Sequence, residues 1–312
     1  MDFITQENQP NFKEVISLAR IVVVGSLNMD MIMRAERMPM KGETLTGGTF
    51  STAEGGKGGN QAVACSRMGA KVTMMGKVGQ DQFGDLLLDS LLREGIEARV
   101  LRSSIHTGVA QITVFQDDNA IIVAPGANRD LHPEDLDLGC FTGADGAIFQ
   151  MEIPIETVEA GLKGAKERGC TTFLNPSPIR PIGEEALSNC DYMVLNHVEL
   201  RQLTGEDQPD AGIRKLLALG VRGVVLTMGS KGASFAYQER LGTMGAPKIN
   251  VVDSTGAGDA FMGAFAVMIC EGSPMEEAVK AGIAAGSLAC LREGAQPSMP
   301  YREQVFRSMA SM

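Results

Sequence analysis

The sequence predicts an α/β protein: a three-layer α/β/α sandwich with a mainly parallel central sheet and a small separate β-sheet that acts as a lid. In the second half, short apolar runs alternate with amphipathic segments, as strands and helices do when helices cover both faces of a parallel sheet. In the first half, residues 31–50 and 107–124 hold short, partly alternating runs broken by turn signals, without a helical period. We expect the lid strands to come from about these two ranges.

Length and composition fit one large domain with a short appendage. The chain has 312 residues, 44% hydrophobic and 21% charged, with a net charge of −10. Residues 1–19 are polar and predict a loose N-terminal extension, so the main domain is expected at 20–312. The chain has no basic patch that would favour nucleic acid, and no apolar run approaches the roughly 20 residues of a membrane span. We therefore expect a cytoplasmic protein.

Cysteine and histidine usage argues against a zinc site and against a serine–histidine triad. The six cysteines include no CxxC pair and mostly fall in apolar segments, where reduced thiols act as small core residues. The three histidines lie far apart, so a zinc site or a serine–histidine triad is not expected.

The predicted elements follow in chain order. Strands are expected at residues 21–25, 71–78, from 99, 107–115, 120–124, 146–150, 171–175, 192–195, 223–227 and 249–252. Helices are expected from Ala62 and at residues 81–94, 155–168, 210–219, 260–269 and 275–291. The strands at 107–115 and 120–124 predict a hairpin across residues 117–119.

The glycine-containing segment 253–259 predicts an anion site between a strand and a buried helix. Gly256, Ala257 and Gly258 let the backbone approach a ligand, and the first helical amides present the positive end of the helix dipole. Asp259 adds a carboxylate at the mouth of this anion hole, and we expect a low pKa for it at a helix N-terminus. The alternative is a plain capping aspartate. The segment fits neither a Walker A loop nor the dinucleotide fingerprint.

Further candidate ligand residues follow other strands. Asn28 and Asp30 are candidate hydroxyl binders or members of an Asx turn. Residues 53–61 hold four glycines, Lys57 and Asn60, which packing alone does not explain, so a ligand loop is favoured. More polar groups stand at later strand ends, where convergence on one sheet edge would form a site: Glu152, Asn196, Glu199 and residues 227–232.

With these motifs together, the sequence resembles the ribokinase-like (PfkB) family of carbohydrate kinases over residues 21–302. The matching motifs are residues 25–30, the glycine loop 55–60, Asn196 to Glu199, residues 253–259 and residues 294–298. Ser254 stands where the family usually has Thr, and Gly59 where Ala is common.

The resemblance implies ATP-dependent phosphorylation of a sugar at a primary hydroxyl, O5 of D-ribose, with Mg²⁺ and activation by K⁺. The predicted lid exposes apolar faces and edges unless a second subunit covers it, so we also expect a homodimer formed through the lid. Asp259 would be the base and Gly256, Ala257 and Gly258 the anion hole. The implied sugar site is Asn28, Met29, Asp30, Gly56, Lys57, Gly58, Gly59, Asn60, Glu152 and Asp259. The implied nucleotide site is Asn196, Glu199, Thr227, Met228, Gly229, Ser230, Lys231, Gly232 and Gly258. The implied K⁺ site is Asp253, Thr255, Ala289, Arg292, Gly294 and Ser298.

Other functions remain open at this point. The polar sugar set favours a polyhydroxylated ring, but kinases of deoxyribose, fructose or keto-deoxygluconate are alternatives. A nucleoside kinase would need an aromatic or apolar floor for the base, and the chain has three Tyr and no Trp. A sugar-binding regulator without catalysis is disfavoured by the intact Asp259 motif, and an oxidoreductase by the missing dinucleotide fingerprint.

Overall fold

The computed structural model describes residues 18–115, 118–238 and 240–312. Residues 1–17 of the predicted extension, and residue 117 of the predicted hairpin turn, lie outside the described residues. Within those ranges, no helix combines the length and the apolar character needed to cross a membrane.

The described residues form thirteen strands and nine α-helices. The strands are β1 (Arg20–Val24), β2 (Asn28–Ala35), β3 (Thr49–Gly55), β4 (Lys71–Gly79), β5 (Glu97–Ser103), β6 (Gly108–Phe115), β7 (Asp118–Ala124), β8 (Gly146–Gln150), β9 (Thr171–Asn175), β10 (Tyr192–Asn196), β11 (Gly223–Thr227), β12 (Ala233–Tyr237) and β13 (Arg240–Met244). The helices are α1 (Lys57–Arg67), α2 (Gln82–Arg93), α3 (Ile155–Glu167), α4 (Glu184–Ser188), α5 (His197–Thr204), α6 (Pro209–Ala218), α7 (Ala257–Cys270), α8 (Met275–Ala289) and α9 (Arg302–Met309).

The central sheet has nine strands in the order β13-β12-β11-β10-β9-β8-β1-β4-β5. Its strands pair in parallel except at β11–β12 and β12–β13, which are antiparallel. Strand β1 explains why the apolar run is continuous: Ile21 and Val23 pack on one face, while Val22 and Val24 pack on the other. One core lies against α1, α2, α7, α8 and α9, and the second lies against α3 to α6. The predicted three-layer α/β/α class is confirmed.

The lid is a separate four-stranded sheet in the order β3-β2-β6-β7. Strands β2 and β3 run over Asn28–Ala35 and Thr49–Gly55, so the lid begins earlier and ends later than the predicted range 31–50. Asn28 and Asp30 therefore lie in an extended strand rather than in an Asx turn, because β2 pairs along its whole length with β6.

Three predicted boundaries around the functional loops were wrong. Residues 249–252 do not form a strand: Val251 and Val252 are 61% and 58% exposed, and the Val252 N–H donates to the Cys290 carbonyl at 2.8 Å. The β-branched run lies across the end of α8 and pairs with no strand of the described part of the chain. Helix α1 begins at Lys57 and α7 at Ala257, so parts of both glycine segments form the first turns of helices.

Candidate active site

Polar groups converge at the carboxyl edge of the parallel strands, and all but Ser26 were predicted. Ser26 follows β1, Glu152 follows β8, Asn196 ends β10 and Thr227 ends β11. Because these strands are parallel, their carboxyl ends share one edge, which is where open α/β sheets bind ligands. Helix α1 and helix α7 both begin at this edge and bring the two glycine segments to it.

Asp259 is buried in the first turn of α7, and its carboxylate is held from α1. The Asn60 side-chain amide donates to Oδ2 at 2.9 Å, and the Gln61 amide donates to Oδ1 at 2.8 Å. The N-cap of α7 is Gly256, in the left-handed region at φ 76°, and it carries no side-chain cap. The carboxylate is thus engaged by another helix and does not cap α7.

The pKa expected for Asp259 was wrong in direction. Burial raises the pKa of this carboxyl above its ordinary value, although Lys57 and the two amide donors act in the opposite direction. The nearby Glu152 carboxylate raises it further. Desolvation by the packing of α1 outweighs the helix dipole, and the group is a better proton acceptor than an exposed aspartate.

Gly56 allows the chain to turn from the lid into α1 beside the sheet edge. Its φ is 84°, and a Cβ there would lie 2.7 Å from the Asn28 nitrogen. The turn brings the Lys57 N–H to Oε2 of Glu152 at 3.1 Å, and the Ser26 hydroxyl donates to the same oxygen at 2.5 Å. Burial would lower the pKa of Lys57, but Asp259, Glu152 and Glu199 outweigh it, so its pKa is raised and the ammonium is retained.

Gly58 and Gly59 pack α1 against the end of β1. A Cβ at Gly58 would lie 2.6 Å from the Ser26 nitrogen, and the Gly59 N–H donates to the Ser26 carbonyl at 3.0 Å. Met29 faces away from its neighbours in β2 and is buried in the core, which places its side chain outside the polar cluster. These residues shape the site through the backbone.

Asn28 and Asp30 lie on β2, both buried, at the joint between lid and sheet. Asn128, in the 3-10 segment Gly126–Asp130, donates to Oδ1 of Asn28 at 2.8 Å, which leaves the Asn28 amino group as the part free to meet a ligand. Burial raises the pKa of Asp30 to about 7, and the charges of Glu152 and Asp259 add to the effect.

A cavity of about 650 Å³ opens beneath the lid. Asp30, Ile32 and Ile112 line its lid side, while residues 251–255, 293–295 and 297 line the opposite wall. Of the residues predicted for the sugar, Asp30 is the one that lines this cavity. The Asn60 carbonyl oxygen Oδ1 is buried at this end of α1 and has no hydrogen-bond partner among the described residues. An acceptor of this kind fits a sugar hydroxyl.

A second cavity of about 580 Å³ lies on the other side of the α7 N-terminus. It contains five of the residues predicted for the nucleotide: Thr227, Gly229, Ser230, Gly232 and Gly258. A Cβ at Gly258 would meet nothing within 4 Å, so the first turn of α7 is open to this space. The Ala257 N–H donates to the Ser254 carbonyl at 3.2 Å, whereas the later N–H groups of the first turn have no acceptor within the helix, which fits the phosphates of ATP.

Four residues predicted for the nucleotide do not line this cavity: Met228, Lys231, Asn196 and Glu199. Asn196 and Glu199 form a capping box at the start of α5, with two reciprocal hydrogen bonds of 2.9 Å. Their side chains are used to end β10 and begin α5. The apolar walls, which sequence reasoning missed, come from Ile249, Phe261 and Ile283.

Asp253 joins the two loops that were predicted to hold a monovalent cation. Its Oδ1 accepts from the N–H and hydroxyl of Thr255 at 2.9 and 2.7 Å, and its Oδ2 accepts from the Gly294 N–H at 2.9 Å. Burial would raise the pKa of Asp253, but these hydrogen bonds and the charge of Arg34 hold it below its ordinary value.

The remaining members of the predicted cation set form hydrogen bonds with backbone groups near the end of α8. Ala289 is buried and its carbonyl accepts the Arg292 N–H at 3.3 Å, while the Ser298 hydroxyl donates to the Ala295 carbonyl at 2.8 Å. No cluster of three or more His, Cys, Asp or Glu side chains suited to a metal occurs within the described ranges. A divalent cation here would depend on ligand phosphates, as Mg²⁺ commonly does.

Sequence reasoning missed four buried polar side chains that organise the site: Ser26, Gln61, Asn128 and Gln150. Gln61 directly follows Asn60 and Gln150 directly precedes Met151–Glu152, so a polar residue beside each predicted motif was the available signal. Asn128 offered no such signal, because it reaches the site only through the fold.

Comparison with known proteins agrees with this geometry. Residues 18–302 match the family model described as pfkB family carbohydrate kinase. Ribokinase of Bacillus subtilis is 36% identical over 292 residues, which are 92% of this chain and 98% of that protein. Deoxyribokinase of Salmonella typhi is 35% identical over 295 residues, 91% of this chain and 96% of that protein.

Solved structures agree with the sequence comparison. The structure of Arabidopsis thaliana ribokinase complexed with ribose and ATP superposes with a TM-score of 0.87 at 34% identity, covering 94% of this chain and 99% of that one. The family resemblance read from the motifs is therefore confirmed, and the chain belongs to the pfkB family of carbohydrate kinases.

Proposed function

We propose that this protein is an ATP-dependent ribose kinase that transfers the γ-phosphoryl group to O5 of D-ribose. The observation that carries the proposal is the position of the α7 N-terminus between two cavities. Ser254 lines both of them, the polar cavity beneath the lid and the more apolar cavity beside Gly258. A sugar in the first and a nucleotide in the second would meet at the first turn of α7, which carries Asp259.

The residues at this junction supply the two functions that phosphoryl transfer needs, positioning and charge stabilisation. The N–H groups that follow Ala257 in the first turn of α7 would bind the transferring phosphoryl oxygens, and the Lys57 ammonium adds positive charge nearby. The Asp259 carboxylate would accept the hydroxyl proton, with its raised pKa favouring that role. Mg²⁺, bound mainly by the phosphates, would neutralise part of their charge.

The choice of ribose rests on the polar groups beneath the lid. Asn28, Asp30 and Asn60 are buried, and each has a donor or acceptor available to a sugar hydroxyl. A site that hydrogen-bonds a hydroxyl rejects the analogue that lacks it, because its own buried groups are then left unpaired. Deoxyribose stays the second candidate, because the relative from Salmonella typhi is a deoxyribokinase.

A panel of sugars tests the proposal. ADP release is measured with D-ribose, 2-deoxyribose, fructose, keto-deoxygluconate and a nucleoside, and phosphorus NMR then locates the phosphate on the product. We expect the highest kcat/KM with D-ribose and phosphate on O5. A highest kcat/KM with fructose or a nucleoside would refute the assignment, and one with 2-deoxyribose would establish the second candidate. The same panel without protein is the control.

A monovalent cation is part of the same proposal. K⁺ would bind where the Asp253 loop meets the segment ending at Ser298, mostly through backbone carbonyls, and would order the loop that precedes the anion hole. What supports it is that Asp253 already ties the loop to Gly294. The alternative is that Asp253 only hydrogen-bonds the turn.

A homodimer formed through the lid is also proposed. On the lid face opposite Asp30, Met33, Phe50 and Ile122 are 40%, 57% and 72% exposed. Apolar side chains on an uncovered sheet favour a partner surface, and a second copy of the lid has the same chemistry. The cytoplasmic location is kept in the proposal, since ATP is a metabolite of that compartment.

A further inference from the structure

Two buried glutamines continue the hydrogen bonding of Asp259 away from the substrate cavity. Gln61 donates from Nε2 to Oδ1 of Asp259 at 2.8 Å and accepts at Oε1 from Nε2 of Gln150 at 2.7 Å. Both glutamines are 0% exposed. The result is a chain of two amides that ends on the carboxylate proposed as the base.

The ionised carboxylate dictates the direction of this chain. A carboxylate only accepts hydrogen bonds, so Gln61 must turn its amino group to Asp259 and its oxygen away. That oxygen then requires a donor, which is the amino group of Gln150. Turning either amide over would set two acceptors against each other.

Gln150 carries an unfavourable buried polar atom, and its hydrogen bond to Gln61 accounts for why an amide is present there. Its own oxygen Oε1 is buried without a partner among the described residues. An unpaired buried acceptor is unfavourable and is rare in folded proteins. A hydrophobic side chain would fill the end of β8 without that penalty. We therefore attribute the presence of an amide at Gln150 to the hydrogen bond that its amino group donates to Gln61.

The packing of α1 on α7 sets the distance between Gln61 and Asp259. Gly263 lies one helical turn after Asp259, and a Cβ there would come within 2.4 Å of the Ala64 Cβ. The Cys65 thiol lies 3.8 Å from the Gly263 carbonyl. This close approach of the helices brings the start of α1 against the start of α7.

We propose that Gln61 is a positioning residue for phosphoryl transfer: its amide holds the Asp259 carboxylate in the orientation that meets the sugar hydroxyl, and Gln150 holds Gln61. The inference rests on the proposed function. With Asn60 on the other oxygen, Gln61 removes rotation of the carboxylate and stabilises its ionised form. Neither glutamine lines the cavity beneath the lid.

Three other charged groups face Asp259 and enter any pH dependence. They are Lys57 on α1, Glu152 after β8, and Asp30 on β2, whose own carboxyl has a pKa of about 7. Their contribution is common to the wild type and to variants at Gln61 and Gln150. The role of the glutamines is therefore measured as the difference between the pH profiles of the wild type and of each variant, at saturating sugar and ATP.

The test measures the single-turnover rate from pH 5 to 9 for Gln61→Met, Gln150→Met and the control Thr157→Val. Thr157 is buried in α3 and donates one hydrogen bond of 2.7 Å to Leu131, outside both cavities. In Gln61→Met we expect the acid limb to move up by about one pH unit and the rate to fall about tenfold, because the ionised carboxylate loses a donor and its fixed orientation. Gln150→Met should shift the acid limb and lower the rate in the same directions as Gln61→Met, but by smaller amounts. The sugar Kd of Gln150→Met should stay within about threefold of the wild-type value, because no contact to the ligand is lost.

Thr157→Val should lower the melting temperature and leave the pH midpoint in place. A midpoint unchanged in both glutamine variants, with rates within a factor of about two, would overturn the inference. The inference would also be overturned if the two glutamine variants lost the same fraction of the rate at every pH and the Thr157→Val control lost as much.

A second measurement depends neither on the glutamine variants nor on turnover. With ¹⁵N-labelled glutamine in the wild type, one side-chain amide pair should titrate with Asp259 and should cease to do so in Asp259→Asn. Absence of any such pair would overturn the inference. Absence of ribose phosphorylation by the wild type would instead refute the proposed function and leave the titration to be judged separately.

Discussion

Asp30→Asn should stabilise the protein without ligand and weaken sugar binding. The Asp30 carboxyl has a pKa of about 7 in the folded protein, against 3.8 as its ordinary value, because it is buried and lies near Glu152 and Asp259. Between these pH values the folded state keeps a proton that the unfolded state has released. Stability attributable to this group therefore falls as the pH rises from about 4 to 7, and the loss is complete above about pH 7.

The size of the effect follows from the two pKa values. The difference between about 7 and 3.8 corresponds to about 4 kcal/mol at about 1.36 kcal/mol per pKa unit. Asp30 is 8% exposed and lines a cavity, so water solvates part of its charge. We therefore expect Asp30→Asn to gain about 1–3 kcal/mol at pH 8 and little at pH 4.

Urea unfolding at pH 4, 6 and 8 measures the gain, with Asp89→Asn as the control, because Asp89 is an exposed aspartate on α2. The sugar Kd should weaken about 10- to 100-fold in Asp30→Asn at pH 8, since a charged acceptor has gone. A gain in stability that is equal at all three pH values, or absent at pH 8, would refute the reasoning.

Three further predictions concern the sugar, the cation and the assembly. Asn28→Ala should raise the sugar KM about tenfold and leave the ATP KM within about twofold, and an unchanged sugar KM would remove Asn28 from the site. Activity in K⁺ should exceed activity in a non-binding organic cation at equal ionic strength, and equal rates would contradict the cation site. Light scattering at micromolar concentration should give a dimer that Ile122→Asp converts to monomer, because a charge would enter the covered lid face; a wild-type monomer would contradict the lid interface.

The fold was predictable where the pattern is local. Buried parallel strands have apolar side chains on both faces, so runs such as β1 and β8 stand out from the amphipathic helices between them. The same rule misled at residues 249–252, because β-branched residues indicate a strand only when a neighbour is present to pair with. That neighbour is decided by the whole fold.

The site was predictable in its motifs and not in its energetics. The glycines around Lys57 and Asp259 mark places where the backbone must approach a ligand, and spacing alone reveals them. The pKa of Asp259 depends on α1 packing over it, a contact between residues about 200 positions apart in the sequence. The same long-range packing explains why Gln61 and Asn128 were missed.

The proton-accepting role of Asp259 is the central claim, and Asp259→Asn tests it most directly. Asparagine keeps the shape of the side chain. It loses one hydrogen bond from Asn60 or Gln61 but also removes a buried charge, so the fold should be retained. We expect kcat to fall about 10²- to 10⁴-fold, the usual contribution of a general base, while the ATP Kd stays nearly unchanged or becomes slightly tighter because a negative charge near the phosphates has gone. A variant that retains more than about a tenth of the wild-type kcat would contradict the account.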